Sequence, residues 1–201
     1  AQPSAGGGPA RSGRGGVSLQ AVAVYCGFRE GARAAYGQAA DALGRALAQR
    51  GITLVYGGGG QGMMRRVADA ALEAGGAVVG VIPEDLVERE QAHSGLSVGS
   101  GASRLEVVAD MHERKARMLA LADATAVLPG GFGTLDELFE VLTWAQLGIH
   151  GKPCGMINAE GYFNHLLAFL DHAEGEGYVR PGDRQRLTVA PSPEALLAAW
   201  A

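Results

Sequence analysis

The chain has 201 residues, a formal net charge of −4 and 32 glycines, about twice the usual glycine share. At about 100–200 residues per domain, this length accommodates one folded domain with a buried core. The mild acidity offers no basic footprint for nucleic acid, no run of about 18 charge-free apolar residues could span a membrane, and the N-terminus lacks the pattern of a secretory signal, so a cytoplasmic protein is expected.

Residues 1–16, AQPSAGGGPARSGRGG, have no apolar periodicity and read as a disordered tail, leaving residues 17–201 as the folded domain. Residues 17–25 (VSLQAVAVY) read as a strand and residues 32–50 as a helix ending at Gly51. A buried strand at 52–56 leads through four glycines into a helix over 62–74, and 77–82 is a third strand closed by Pro83. Residues 84–104 are polar and irregular, with one helical turn. A short strand at 105–108 precedes a helix at 111–122, a strand at 124–128 and a helix at 134–147. A strand at 153–157, a helix at 162–174, a short helix at 181–185, a strand at 187–189 and a helix from Pro193 complete the chain.

Apolar strand runs separated by helical patterns of about 10–15 residues are the mark of repeated βαβ units. Their near-continuous hydrophobicity requires both faces of each strand to be covered, as in a parallel sheet. The expected fold is therefore α/β: a Rossmann-like, doubly wound parallel sheet. Ligands of such sheets bind beyond the carboxyl ends of the strands, here the loops after Tyr25, Tyr56, Ile82, Val108 and Leu128.

Two glycine clusters sit at strand-to-helix junctions. The first, Gly57 to Gly62, contains a formal G-x-G-x-x-G at Gly57, Gly59 and Gly62, with Glu84 further on. It follows the second strand rather than the first, and Glu84 lies beyond Pro83, so ligand contact at Gly59 is expected but a dinucleotide fingerprint is not. The second cluster is Pro129–Gly130–Gly131–Phe132–Gly133–Thr134, followed by Leu135–Asp136–Glu137. Glycines at 130, 131 and 133 free the backbone to turn N–H groups inward, and Thr134 adds a hydroxyl at the positive end of a helix, a cradle for phosphate. Thr134-x-x-Glu137 is also a capping box, which needs no ligand. Capping accounts for those two residues but not for three glycines behind a proline.

Between the clusters lies Met111–His112–Glu113–Arg114–Lys115–Ala116–Arg117–Met118. At helical spacing Met111, Arg114 and Met118 share a face, so Arg114 places a guanidinium in an apolar stripe. Burying that charge without an anion is costly, which points to a ligand role. Arg117 reads as a solvated helix-end cation, and His93 and His112 lack metal-ligand spacing. Cys26 and Cys154, at predicted strands and far apart, read as buried reduced thiols. The only lysines are Lys115 and Lys152.

The runs MHERKARM, PGGFGTLDE and LFEVLTWAQLGIHGKP closely resemble the LONELY GUY family of cytokinin riboside 5'-monophosphate phosphoribohydrolases, often mislabelled lysine decarboxylases, over residues 20–200 or so. The resemblance implies hydrolysis of an N6-modified adenosine 5'-monophosphate to free base and ribose 5-phosphate. It implies no metal or redox cofactor, a small-molecule nucleotide as substrate, and a homodimer. It carries the catalytic pair onto Arg114 and Glu137. Nucleotide contacts fall on Lys115, Gly131 to Glu137 and Thr143, with a loop carboxylate at Glu90 or Asp85. The mislabel fits poorly, because pyridoxal chemistry needs an anchoring lysine in a cofactor site. The sequence departs from the family at Phe28–Arg29, where Ser-Ser is usual, and at Gly60–Gln61, where Ser-Val is common. The competing reading is a non-catalytic nucleotide or molybdenum-cofactor carrier on a similar glycine loop. An NAD oxidoreductase ranks third.

Overall fold

Seven strands pair in parallel in the order β4-β3-β2-β1-β5-β6-β7. They are β1 (Ala21–Tyr25), β2 (Thr53–Tyr56), β3 (Val78–Pro83), β4 (Arg104–Val108), β5 (Ala124–Val127), β6 (Cys154–Ile157) and β7 (Leu187–Ala190). The structure, a computed structural model, describes residues 19–89 and 91–201. The tail expected over residues 1–16 and Glu90 lie outside the described residues.

The first four strands are laid outward from β1, and β5 then returns to the other side of it, pairing Ala23 with Thr125 while Ala23 also faces Val55 of β2. That reversal opens a crevice at the carboxyl ends of β1 and β5. Successive residues of β1 serve opposite faces, as a pleated strand requires. Val22 and Val24 pack with α1 (Ala34–Gln49), α2 (Gly62–Glu73) and α7 (Pro193–Ala199). Ala21, Ala23 and Tyr25 pack with α3 (Met111–Leu121), α4 (Phe132–Gln146) and α5 (Asn164–Gly175). A short helix α6 (Pro181–Arg184) leads into β7. No helix of the described residues is long and apolar enough to cross a membrane.

The expected elements are present, with shifted ends. Two shifts matter. Helix α4 begins at Phe132, two residues before the expected start at Thr134. Helix α5 begins at Asn164 rather than Tyr162, because its N-cap Phe163, at φ −92° and ψ 7°, departs from helical backbone.

The crossover from β4 to β5 must pass under three strands, so α3 packs against β1, β2 and β3. Its foot on β4 is electrostatic. Arg117 Nε donates to Glu106 at 2.6 Å, and Arg104 donates to the same carboxylate at 2.6 and 2.8 Å. Arg117 is thus ion-paired rather than merely solvated. Its hydrogen bond, with Arg104 adding to it, holds the Glu106 carboxyl below its ordinary pKa of 4.5. A depressed folded pKa contributes stability above the unfolded value and loses it as pH falls through the folded one. Urea unfolding is expected to show stability falling below about pH 4.5, with a shallower fall in Glu106→Gln.

Candidate active site

Helix α3 starts with Asp110, whose carboxylate accepts the N–H of His112 at 2.8 Å and of Glu113 at 2.9 Å. Glu113 reaches back to accept the N–H of Ala109 at 2.8 Å. This reciprocal cap fixes the first turn, and Arg114 follows directly behind it. The Arg114 side chain runs inward, 4% exposed, beneath the carboxyl end of β2. Its guanidinium nitrogens lie 3.6 Å from Met111 Sδ and 3.9 Å from Met64 Sδ. It occupies the place a Cβ on Gly57 would take. The first glycine cluster therefore admits an arginine rather than a pyrophosphate. Its last member, Gly62, at φ 55°, starts α2 pressed against the Phe28 carbonyl, where no side chain fits.

Across the crevice, the chain leaves β5 through Pro129 and Gly130. A Cβ on Gly130 would collide with the Thr134 hydroxyl and crowd Gly27 N. Gly131 is the N-cap of α4, and no side chain caps the helix. Thr134 sits at the third helical position instead, so the capping-box alternative does not hold. The orphan N–H groups of the first turn stay open at the positive end of the helix dipole, as an anion site requires. Thr134 is 3% exposed and Glu137 9% exposed, one turn further along.

These parts line one cavity of about 620 Å³, within the range of small-molecule sites. It takes in Arg114, Glu137, Gly57, Thr134 and the glycine loop from Gly130 to Gly133, with Phe28, Arg29 and Glu30 from the loop after β1. Burial pushes the Cys26 thiol above its ordinary range; the Glu137 charge pushes it further and Arg114 pulls it back. Both groups thus lie close enough to act on the same buried thiol. The Cys154 thiol is likewise pushed up by burial, to about 11. The loop after β1 is tied down by Arg66 of α2, which forks onto Asp41 and donates to Glu30 at 3.2 Å.

The structure brings together Arg114, Glu137, Gly130, Gly131, Gly133 and Thr134. Other expected contacts do not line the cavity, Leu135 and Asp136 of α4 among them. Lys115 points the other way, pairing with Asp136 at 3.0 Å and Glu140 at 3.2 Å on α4, because its side chain leaves α3 beside Arg114's. Burial lowers its pKa, but these two carboxylates outweigh burial and hold it above its ordinary value. Thr143 is exposed on α4, and Gly59 is buried in a bridge to Ala92. Asp85 is exposed on the turn after β3, and Glu90 is outside the described residues. His93 is structural: its Nδ1 accepts from Gly95 N at 3.1 Å, leaving Nε2 to donate to Asp69 at 3.0 Å. Sequence reasoning missed Met64, Leu86, Tyr36 and Tyr162, all of which line the cavity. It expected ligand contact in the first glycine cluster at Gly59, whereas the structure puts Gly57, the glycine next to the strand end, at the cavity.

A side chain at Gly57 must expel the guanidinium or move β2. Gly57→Ala is expected to destabilise the fold by about 1–3 kcal/mol, measured by urea titration.

The profile of the family described as "Possible lysine decarboxylase" matches residues 64–200. A pyridoxal decarboxylase needs a lysine at its cofactor, and the residues do not fit. Lys115 is paired on α4, and Lys152 Nζ donates to the Leu119 carbonyl at 2.5 Å, outside the cavity. The cytokinin riboside 5'-monophosphate phosphoribohydrolase of Rhodococcoides fascians is 47% identical over 181 residues, 90% of this chain and 88% of that protein. An Arabidopsis thaliana protein of the same description is 47% identical over 176 residues, 88% of this chain and 80% of its own. The molybdenum cofactor binding protein of Rippkaea orientalis superposes with a TM-score of 0.63 at 22% identity, covering 89% of this chain and 93% of that one, which shows a common fold alone. With a profile match over most of its length and relatives at this identity, the chain belongs to the LONELY GUY family, the cytokinin riboside 5'-monophosphate phosphoribohydrolases.

Proposed function

We propose that this protein hydrolyses the N-glycosidic bond of N6-modified adenosine 5'-monophosphates, releasing the free base and ribose 5-phosphate. The observation that carries the reading is the burial of Arg114 and Glu137 in one cavity, facing the uncapped start of α4. A carrier has no need of that pair.

The phosphate sits on the amides of Gly131 to Gly133 and the Thr134 hydroxyl, where the helix dipole favours negative charge. Ribose C1' then lies within reach of Glu137. As the bond to the base lengthens, positive charge spreads over C1' and the ring oxygen, and the carboxylate stabilises it. Glu137 takes a proton from water, the hydroxide oxygen bonds to C1', and the base leaves with the bonding electron pair and takes a proton from solvent, to which Glu137 returns its own. Arg114 holds substrate oxygens or the leaving base. The apolar walls formed by Met64, Leu86, Met111 and Phe28 accommodate the N6 substituent. Lys115 serves the site indirectly, fixing α4 through Asp136 and Glu140. Glu90 remains the loop carboxylate of this reading, Thr143 lies outside the cavity and has no part in it, and Gly59 supports the glycine loop.

Phe139, Leu147 and Ile149, on α4 and just beyond it, expose apolar surface that supports a homodimer through this face. Two free buried cysteines suit the reducing cytoplasm.

Glu137→Gln is expected to abolish base release from isopentenyl-AMP, followed by chromatography, while far-ultraviolet circular dichroism stays native; unchanged turnover would sink the assignment. Sedimentation should give a dimer, and Leu147→Asp should shift it toward monomer. A wild-type monomer would refute the dimer.

A further inference from the structure

Tyr162 belongs to no expected motif, yet the chain goes to some trouble to place it. After β6, Glu160 adopts φ 50° and Gly161 φ 70°, a backbone disfavoured for the glutamate. Asn158 braces this turn: its side-chain carbonyl accepts Phe163 N at 2.8 Å and its amide donates to Asn164 Oδ1 at 2.8 Å. The Tyr162 ring then packs edge-on between Tyr36, 5.3 Å between centroids, and Phe163, 4.8 Å. Its hydroxyl donates to the carbonyl of Gly130 at 2.7 Å. The preceding carbonyl, Pro129, accepts from Gly27 N at 3.0 Å. Two successive carbonyls of the glycine loop are thus held by donors from two other loops.

This matters because the Gly130–Gly131 peptide has no Cβ on either side and can rotate at little cost. In a trans peptide the C=O and the following N–H point in opposite directions. Holding the Gly130 oxygen therefore sets the Gly131 N–H. A flipped plane would turn a carbonyl oxygen toward the incoming anion.

We propose that Tyr162 is a positioning residue for phosphate binding: its hydroxyl locks the Gly130–Gly131 peptide so that the Gly131 N–H joins the uncapped amides at the start of α4. The identity of the ligand as a nucleoside 5'-monophosphate rests on the phosphoribohydrolase reading.

The test is Tyr162→Phe, which keeps both ring contacts and removes only the hydroxyl. Calorimetric titration with ribose 5-phosphate is expected to show binding weakened about three- to tenfold, the size of one hydrogen bond. KM for the 5'-monophosphate rises by the same factor while kcat changes less than about twofold, and adenosine binding is unchanged. Asn158→Ala, which loosens the turn but leaves the tyrosine, weakens ribose 5-phosphate binding in the same direction. Wild-type affinity for ribose 5-phosphate in Tyr162→Phe overturns the proposal, as does an equal loss for adenosine. The titration needs no turnover, so wild-type protein that binds ribose 5-phosphate without releasing base contradicts the hydrolase reading and leaves the Tyr162 comparison readable.

Discussion

A guanidinium taken out of water next to a strand end costs several kcal/mol unless negative charge accompanies it. Arg114 is such a group, and the centre of the molecule is arranged to admit it. Gly57 gives up its side chain volume to it, two methionine sulfurs flank it, and Glu137 shares its cavity from the opposite helix. The long crossover under the sheet delivers the arginine there, after the Asp110 cap has set the direction of α3. Each feature would be a defect alone. Together they put opposite charges in one cavity at the start of α4, where electrostatic effects are stronger than in bulk water.

The second organising element is the start of α4. Helices usually satisfy their first N–H groups with a side chain. Here the N-cap is glycine, and the neighbouring loops hold the backbone carbonyls rather than the amides. In the proposed phosphoribohydrolase reading, stability given up at the helix end becomes capacity to bind the substrate phosphate. The loop after β1 completes the enclosure, anchored by Arg66 through Glu30, with Phe28 and Arg29 at the cavity wall.

Much of this was legible in the amino-acid pattern. The alternation of apolar runs with helical segments specified a parallel sheet, and the glycine loop behind Pro129 declared a strand-to-helix junction with an open backbone. Arg114 stood out because a cation in an apolar stripe requires an explanation. Spacing alone offered Glu137 only as a capping-box partner, and its catalytic role came from the resemblance to the LONELY GUY family. Lys115 was harder. Adjacent residues on a helix leave it about 100° apart, so a lysine beside a buried arginine faces another element, here α4. Thr134 as a cap was plausible from spacing alone, and only the true start of α4 decided against it.

What the sequence determined by itself is what depends on neighbours along the chain: strand and helix periodicity, glycine-rich junctions, and the chemical types available to the site. What only the tertiary structure decided is which distant segments meet. The reversal between β1 and β5 placed the crevice, the depth of Arg114 chose Gly57 over Gly59, and a turn after β6 brought Tyr162 to Gly130 from 32 residues away. Those contacts depend on sheet order and crossover direction, which periodicity within each segment does not encode.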